Sequence, residues 1–141
     1  MAIVIDDHLL VDVLADTTTE WLRAQVKQSV IYTTGSWYYR LANAAHRGSG
    51  QGTLSRRLAQ LPAEFHRERI DELPDWIGLV GPRLLVPVMA AIETRRRPNV
   101  LTAEALAVAV LTNSEIVVST DSPLLRDGDS DLGIEYRVID S

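Results

Sequence analysis

The chain has no cysteine, which removes disulfides, thiolate zinc sites and a cysteine nucleophile together. Any metal must therefore be held by oxygen or by histidine. Long apolar runs are missing as well, and nothing approaches the roughly 18 residues that a membrane-spanning helix requires. Acids follow the first five residues at once, so the start does not read as a secretion signal; a soluble, cytoplasmic protein without membrane contact is expected. Lysine is almost absent, Lys27 standing alone among fourteen basic residues of which the rest are arginine. That bias suits phosphate recognition and is equally a product of genome composition. Net positive charge is lacking too: at −5 the chain is unlike a non-specific nucleic-acid binder, although this does not exclude a nuclease.

What is present fits one domain spanning residues 1–141, with 46% apolar and 23% charged residues, an ordinary globular balance. Strands are expected at Ala2–Ile5, Ser29–Tyr32, Trp76–Val80, Glu115–Ser119 and Ile134–Ile139, each a short β-branched or aromatic run bounded by turn residues. Apolar spacing predicts helices over Leu9–Leu14, Thr19–Lys27 and a segment carrying Trp37, Leu41 and Ala45. Further helices are expected over Leu54–Leu61, Ala63–Leu73, Leu84–Arg95 and Ala103–Leu111, with Thr102 capping the last. Pro87 is expected in a first turn, where it is tolerated. Residues 47–52, Arg-Gly-Ser-Gly-Gln-Gly, read as a flexible loop within the domain, and Asp121–Asp131 as an acidic, turn-rich stretch. Strands alternating with helices predict an α/β fold, a three-layer α/β/α sandwich around a parallel sheet of four or five strands.

Two of the expected strands end in aspartate, Asp6 after Ala2–Ile5 and Asp121 after Glu115–Ser119. In an open parallel sheet, residues just beyond the carboxyl ends of strands line the ligand crevice. Glu104, expected in the first turn of the helix before the Asp121 strand, is a third carboxylate that can join them. Three such oxygens suit Mg²⁺ or Mn²⁺, which keep water and bridge to phosphate. Taken singly, each has a structural role available: Asp6 as a helix cap, Asp121 capping the turn at Ser122-Pro123, and Glu104 favouring a helix dipole. Arginines cluster between Arg40 and Glu72, six against four acids, and again at Arg95-Arg96-Arg97; a solvated helix face and a helix end account for them.

These pieces resemble the PIN-domain family. Ile5-Asp6-Asp7-His8-Leu9-Leu10 is similar to its hydrophobic-Asp-x-Asn-x-Leu opening. Leu101-Thr102-Ala103-Glu104-Ala105-Leu106-Ala107-Val108-Ala109 looks like its Asp-Ala-hydrophobic-x-Ala-Ala helix, with Glu104 in place of aspartate. Val117-Val118-Ser119-Thr120-Asp121 is similar to the hydrophobic-Thr-x-Asp strand end. The resemblance implies a metal-dependent endoribonuclease, often the toxin of a toxin–antitoxin pair. It puts Asp6, Glu104 and Asp121 in catalytic positions, with Asp7 as an additional ligand for Mg²⁺ or Mn²⁺. RNA and an antitoxin protein are the partners it implies, and a homodimer is expected, since Trp21, Trp37, Tyr38 and Tyr39 offer more aromatic surface than one helix face buries. One position departs from the pattern: the family's glutamate after strand two is missing from Thr34–Leu41, where Tyr39 or Arg40 takes its turn. Glu93 is a conceivable substitute, otherwise a surface residue, and His8 orients a ligand or caps a helix. The alternative function is an inactive PIN-like module that binds or regulates other proteins. A response-regulator receiver also opens with paired acids, but no aspartate lies between Asp16 and Asp71 and Lys27 is misplaced. Gly48-Ser49-Gly50-Gln51-Gly52 lacks the spacing of a dinucleotide-binding loop.

Overall fold

The computed structural model describes residues 1–48 and 52–140. In chain order the elements are β1 (Ala2–Ile5), α1 (Asp7–Leu14), α2 (Glu20–Gln28), β2 (Val30–Tyr32), α3 (Gly35–Arg47) and α4 (Thr53–Ala59). There follow α5 (Ala63–Phe65), continuing as a π-helical segment His66–Asp71, then β3 (Ile77–Gly78), α6 (Pro82–Ala91) and α7 (Val100–Thr112). β4 (Glu115–Val118), α8 (Pro123–Leu132) and β5 (Tyr136–Val138) complete the chain. The five strands form one all-parallel sheet in the order β3-β2-β1-β4-β5.

Side-chain alternation along the strands divides the core into two layers. Ile3, Ile5, Ile31 and Val117 point to one face and pack with α1 to α4 and Ile70. Val4, Ile116 and Val118 point to the other, against Leu106 and the alanines of α7, with Leu85 and Leu125 beyond. Helices thus cover both faces, as parallel strands require. This is the expected three-layer α/β/α arrangement around an all-parallel sheet. The middle of α7 is apolar all round because it is buried all round: Ala105, Leu106, Ala107, Val108 and Ala109 are at most 1% exposed.

Four expectations need correction. Asn99, not Thr102, caps α7, its side chain accepting from Thr102 N–H at 2.8 Å; the helix starts three residues earlier and Glu104 falls in its second turn. Asparagine is the stronger cap and sits directly after Pro98, which cannot itself donate. α6 begins at Pro82 and stops at Ala91, so Pro87 lies beyond the first turn and Glu93 is exposed outside the helix. The stretch read as turns is α8, capped by Ser122, which accepts from Leu125 N–H at 3.3 Å, and ended by Gly133 at φ +70°. The arginines after α6 do not serve a helix end: Arg95 pairs with Asp131 at 2.5 Å and Arg96 with Asp127 at 3.3 Å, both acids on α8. The strands and the helices up to α4 lie where expected within one to three residues, whereas Ala63–Leu73 is helical only to Asp71, partly as a π-turn. The glycine-rich loop at 49–51 lies outside the described residues.

Candidate active site

The chain runs from β1 outward through β2 to β3, then returns to lay β4 on the other side of β1. The order therefore reverses between β1 and β4, and the carboxyl ends of these two strands open the crevice where such sheets bind ligands. A cleft of about 330 Å³ lies there. Asp6, Asp7 and His8 enter it from the end of β1, and Ser119, Thr120 and Asp121 from the end of β4. Trp37 and Arg40 of α3, Thr102 and Ala105 of α7, and Leu125 of α8 supply the walls. A larger cavity of about 500 Å³ sits at the amino ends, near Ala2, Glu115 and Glu135, away from the strand-order reversal.

Asp6 is 6% exposed and does two structural jobs. Its Oδ1 accepts from Leu9 N–H at 3.0 Å, capping α1, and its Oδ2 accepts from Ser119 N–H at 2.8 Å and Ser119 Oγ at 2.9 Å. That carboxylate fastens the end of β1 to the end of β4. Burial pushes its pKa above the ordinary aspartate value; the hydrogen bonds from Leu9 and Ser119 pull against this, and the charge of Asp7 adds to the rise.

Asp7 is 3% exposed. Its Oδ1 accepts from His8 N–H at 2.9 Å, while its buried Oδ2 meets no hydrogen-bond donor among the described residues; the Arg40 Nε lies 3.3 Å away, an ion pair without hydrogen-bond geometry. Arg40, rather than Tyr39, is the α3 residue that faces the cleft; Tyr39 is 67% exposed.

Asp121 stands at the cleft mouth. Its Oδ2 accepts from Arg126 at 2.8 Å, and its Oδ1 from the Tyr136 hydroxyl at 2.9 Å, which in turn accepts from Ser122 N–H at 2.9 Å. Burial first, then the neighbouring Asp121 and Asp129 charges, push the Tyr136 hydroxyl up to about 12.

Glu104 turns from α7 to the start of α3, where its Oε1 accepts from Ser36 N–H at 2.9 Å; its Oε2 makes room for Gly35, whose Cβ, if present, would lie 3.8 Å away. It serves a helix N-terminus, but that of α3 instead of its own. The structure thus brings Asp6, Asp7 and Asp121 onto one cleft, whereas Glu104 is turned to the start of α3 and does not line it, and Glu93 lies elsewhere. Among the described residues no three His, Asp or Glu side chains stand close enough to hold an ion as they are placed.

Three participants were not singled out from sequence: Ser119, Arg126 and Tyr136. Ser119 lies two residues before Asp121 in the strand-end motif, so its position was in view without its role. Arg126 was hidden because its helix had been read as turns.

By sequence, no family profile and no curated protein matches this chain. Among solved structures it is similar to the crystal structure of VapBC2 from Rickettsia felis bound to a DNA fragment from their promoter. The match has a TM-score of 0.61 at 9% identity and covers 99% of this chain and all of that one. At that identity the likeness is one of fold, extending over the whole domain.

Proposed function

We propose that this chain is a PIN-like, metal-dependent endoribonuclease of the toxin–antitoxin kind. The observation that carries the reading is the convergence of Asp6, Asp7 and Asp121, from segments more than a hundred residues apart, on one cleft at the strand-order reversal. The donor set has the chemistry of a hard-cation site, all carboxylate oxygen, and the Asp7 Oδ2 is a buried acceptor with no donor. Asp6, Asp7 and Asp121 would hold Mg²⁺ or Mn²⁺, with Glu104 as the fourth carboxylate of the set. When bound, such an ion activates water and offsets charge at a phosphodiester. Ser119 keeps Asp6 oriented, and Tyr136 and Arg126 do the same for Asp121. Arg40 and Arg126, paired with Asp7 and Asp121 but with side chains 54% and 51% exposed, would meet RNA phosphates at the cleft mouth by exchanging those partners. The family resemblance implies an antitoxin partner and a homodimer; the fold likeness to VapBC2 supports the first.

The experiment is RNA cleavage in Mn²⁺ by wild type and Asp6→Asn. Asparagine remains a good cap for α1 but gives up the second oxygen to which Ser119 donates, so circular dichroism checks that the variant keeps its fold. Cleavage is expected in wild type only; equal cleavage by both proteins refutes the assignment.

A second reading rests on the ion pairs Arg40–Asp7 and Arg126–Asp121, which already compensate two of the three cleft acids. In it the chain is an inactive PIN-like module that works through protein contacts, and wild type neither cleaves RNA nor binds Mn²⁺.

A further inference from the structure

We infer that Arg40 is a built-in counter-ion that competes with a divalent cation for Asp7, so that the cleft's metal affinity is set by whether this arginine is in place. The inference rests on the metal-site reading above and concerns the arginine that lies against one of its acids.

Burying a carboxylate without a counter-charge is costly, and the Asp7 side chain is only 4% exposed. Its Oδ1 takes the neighbouring His8 N–H, but its Oδ2 has no hydrogen-bond donor. Compensation of that oxygen falls to Arg40, yet the contact is a single Nε at 3.3 Å, without the paired geometry that makes guanidinium–carboxylate contacts strong. Arg40 stands on α3 with 54% of its side chain exposed, so it can leave without disturbing the core. The arrangement is an acceptor that one cation covers loosely and a second, of higher charge and smaller size, would cover better. Asp6 cannot relieve Asp7, because it is a second carboxylate whose charge opposes that of its neighbour.

Guanidinium and divalent cation cannot share this oxygen. Two such cations in adjacent positions repel enough, even with water-like screening, to change affinity by roughly tenfold. Arg40 thereby supplies charge in the metal-free protein and opposes metal entry.

The test is Mn²⁺ titration by calorimetry on wild type, Arg40→Ala, Arg40→Gln and the double variant Arg40→Ala/Asp7→Asn, with thermal shift as a second readout. Both single variants are expected to bind Mn²⁺ at least about tenfold more tightly than wild type, and Mn²⁺ to raise their melting temperature more. The double variant is expected to lose that gain. Equal Mn²⁺ affinity in wild type and both single variants overturns the counter-ion role while leaving a metal-binding cleft. Absence of Mn²⁺ binding from every variant overturns both the role and the metal-site reading.

Discussion

At the scale of single residues, Asp129 is the charge the fold treats worst. It is fully buried on α8, neither carboxylate oxygen has a hydrogen-bond donor, and burial pushes its pKa to about 8. Tyr136 senses its charge, and the pair Asp121–Arg126 lies toward the start of the same helix. The consequence for stability has a definite sign. Below an unfolded-state pKa near ~3.9 the group is neutral in both states and costs nothing; above it the unfolded chain releases a proton that the folded chain keeps. Stability therefore falls as pH rises from about 4 to 8, by up to roughly 1.4 kcal/mol per pH unit from this group, and then levels. Asp129→Asn removes that slope. Urea unfolding at pH 5 and pH 8 is expected to show a larger loss in wild type than in the variant, and parallel losses would show that Asp129 ionises normally. Asp6 shares the upward shift but has three hydrogen bonds opposing it.

At the scale of elements, Glu104 shows how a site residue and a structural residue can be the same side chain. α3 starts with Thr34, whose side chain accepts from Trp37 N–H at 3.0 Å, while Ser36 N–H would lack a partner without Glu104. Glu104→Ala is expected to cost about 1 kcal/mol, and Glu104→Gln, which keeps the acceptor, much less. Chemical denaturation of the two variants tests this, and equal stability in both would remove the capping role. The same scale separates what could be read from sequence from what could not. β1 and β4 are legible because a strand buried on both faces is a run of β-branched residues, as Ile3-Val4-Ile5 and Ile116-Val117-Val118 are. α8 was not, because Gly128 and four polar residues among Asp127–Asp131 carry a turn composition. The glycine is there for packing: a Cβ on it would fall 2.8 Å from Leu106 Cδ1, where α8 crosses α7. Such a close approach depends on which helices meet, and a single sequence does not contain that.

At the scale of the whole molecule, the order β3-β2-β1-β4-β5 is what turns two distant aspartates into neighbours. Strand ends carrying Asp6 and Asp121 could be found in the sequence, and so could the absence of a glutamate near Arg40. Which acids share a cleft follows from the adjacency of β1 and β4, and which oxygens are already taken follows from partners as remote as Ser119 on Asp6. Aromatic surface that suggested a dimer is largely accounted for inside the fold. Trp37 is 6% exposed, Tyr38 donates to Ile70 C=O at 2.5 Å, and Trp21 lies under Arg137 at 4.4 Å. Tyr39 alone of the four stays outside.

The central claim, that the cleft between β1 and β4 takes a divalent cation, is tested most directly by Mn²⁺ calorimetry on wild type and Asp121→Asn. An asparagine oxygen can keep the contact with Arg126 while its amide donates to the Tyr136 hydroxyl, so the substitution removes charge more than shape. Saturable heat is expected in wild type and at least about tenfold weaker binding in the variant, the size expected when one unit charge leaves a divalent site. No heat in wild type, or the same affinity in both, would contradict it.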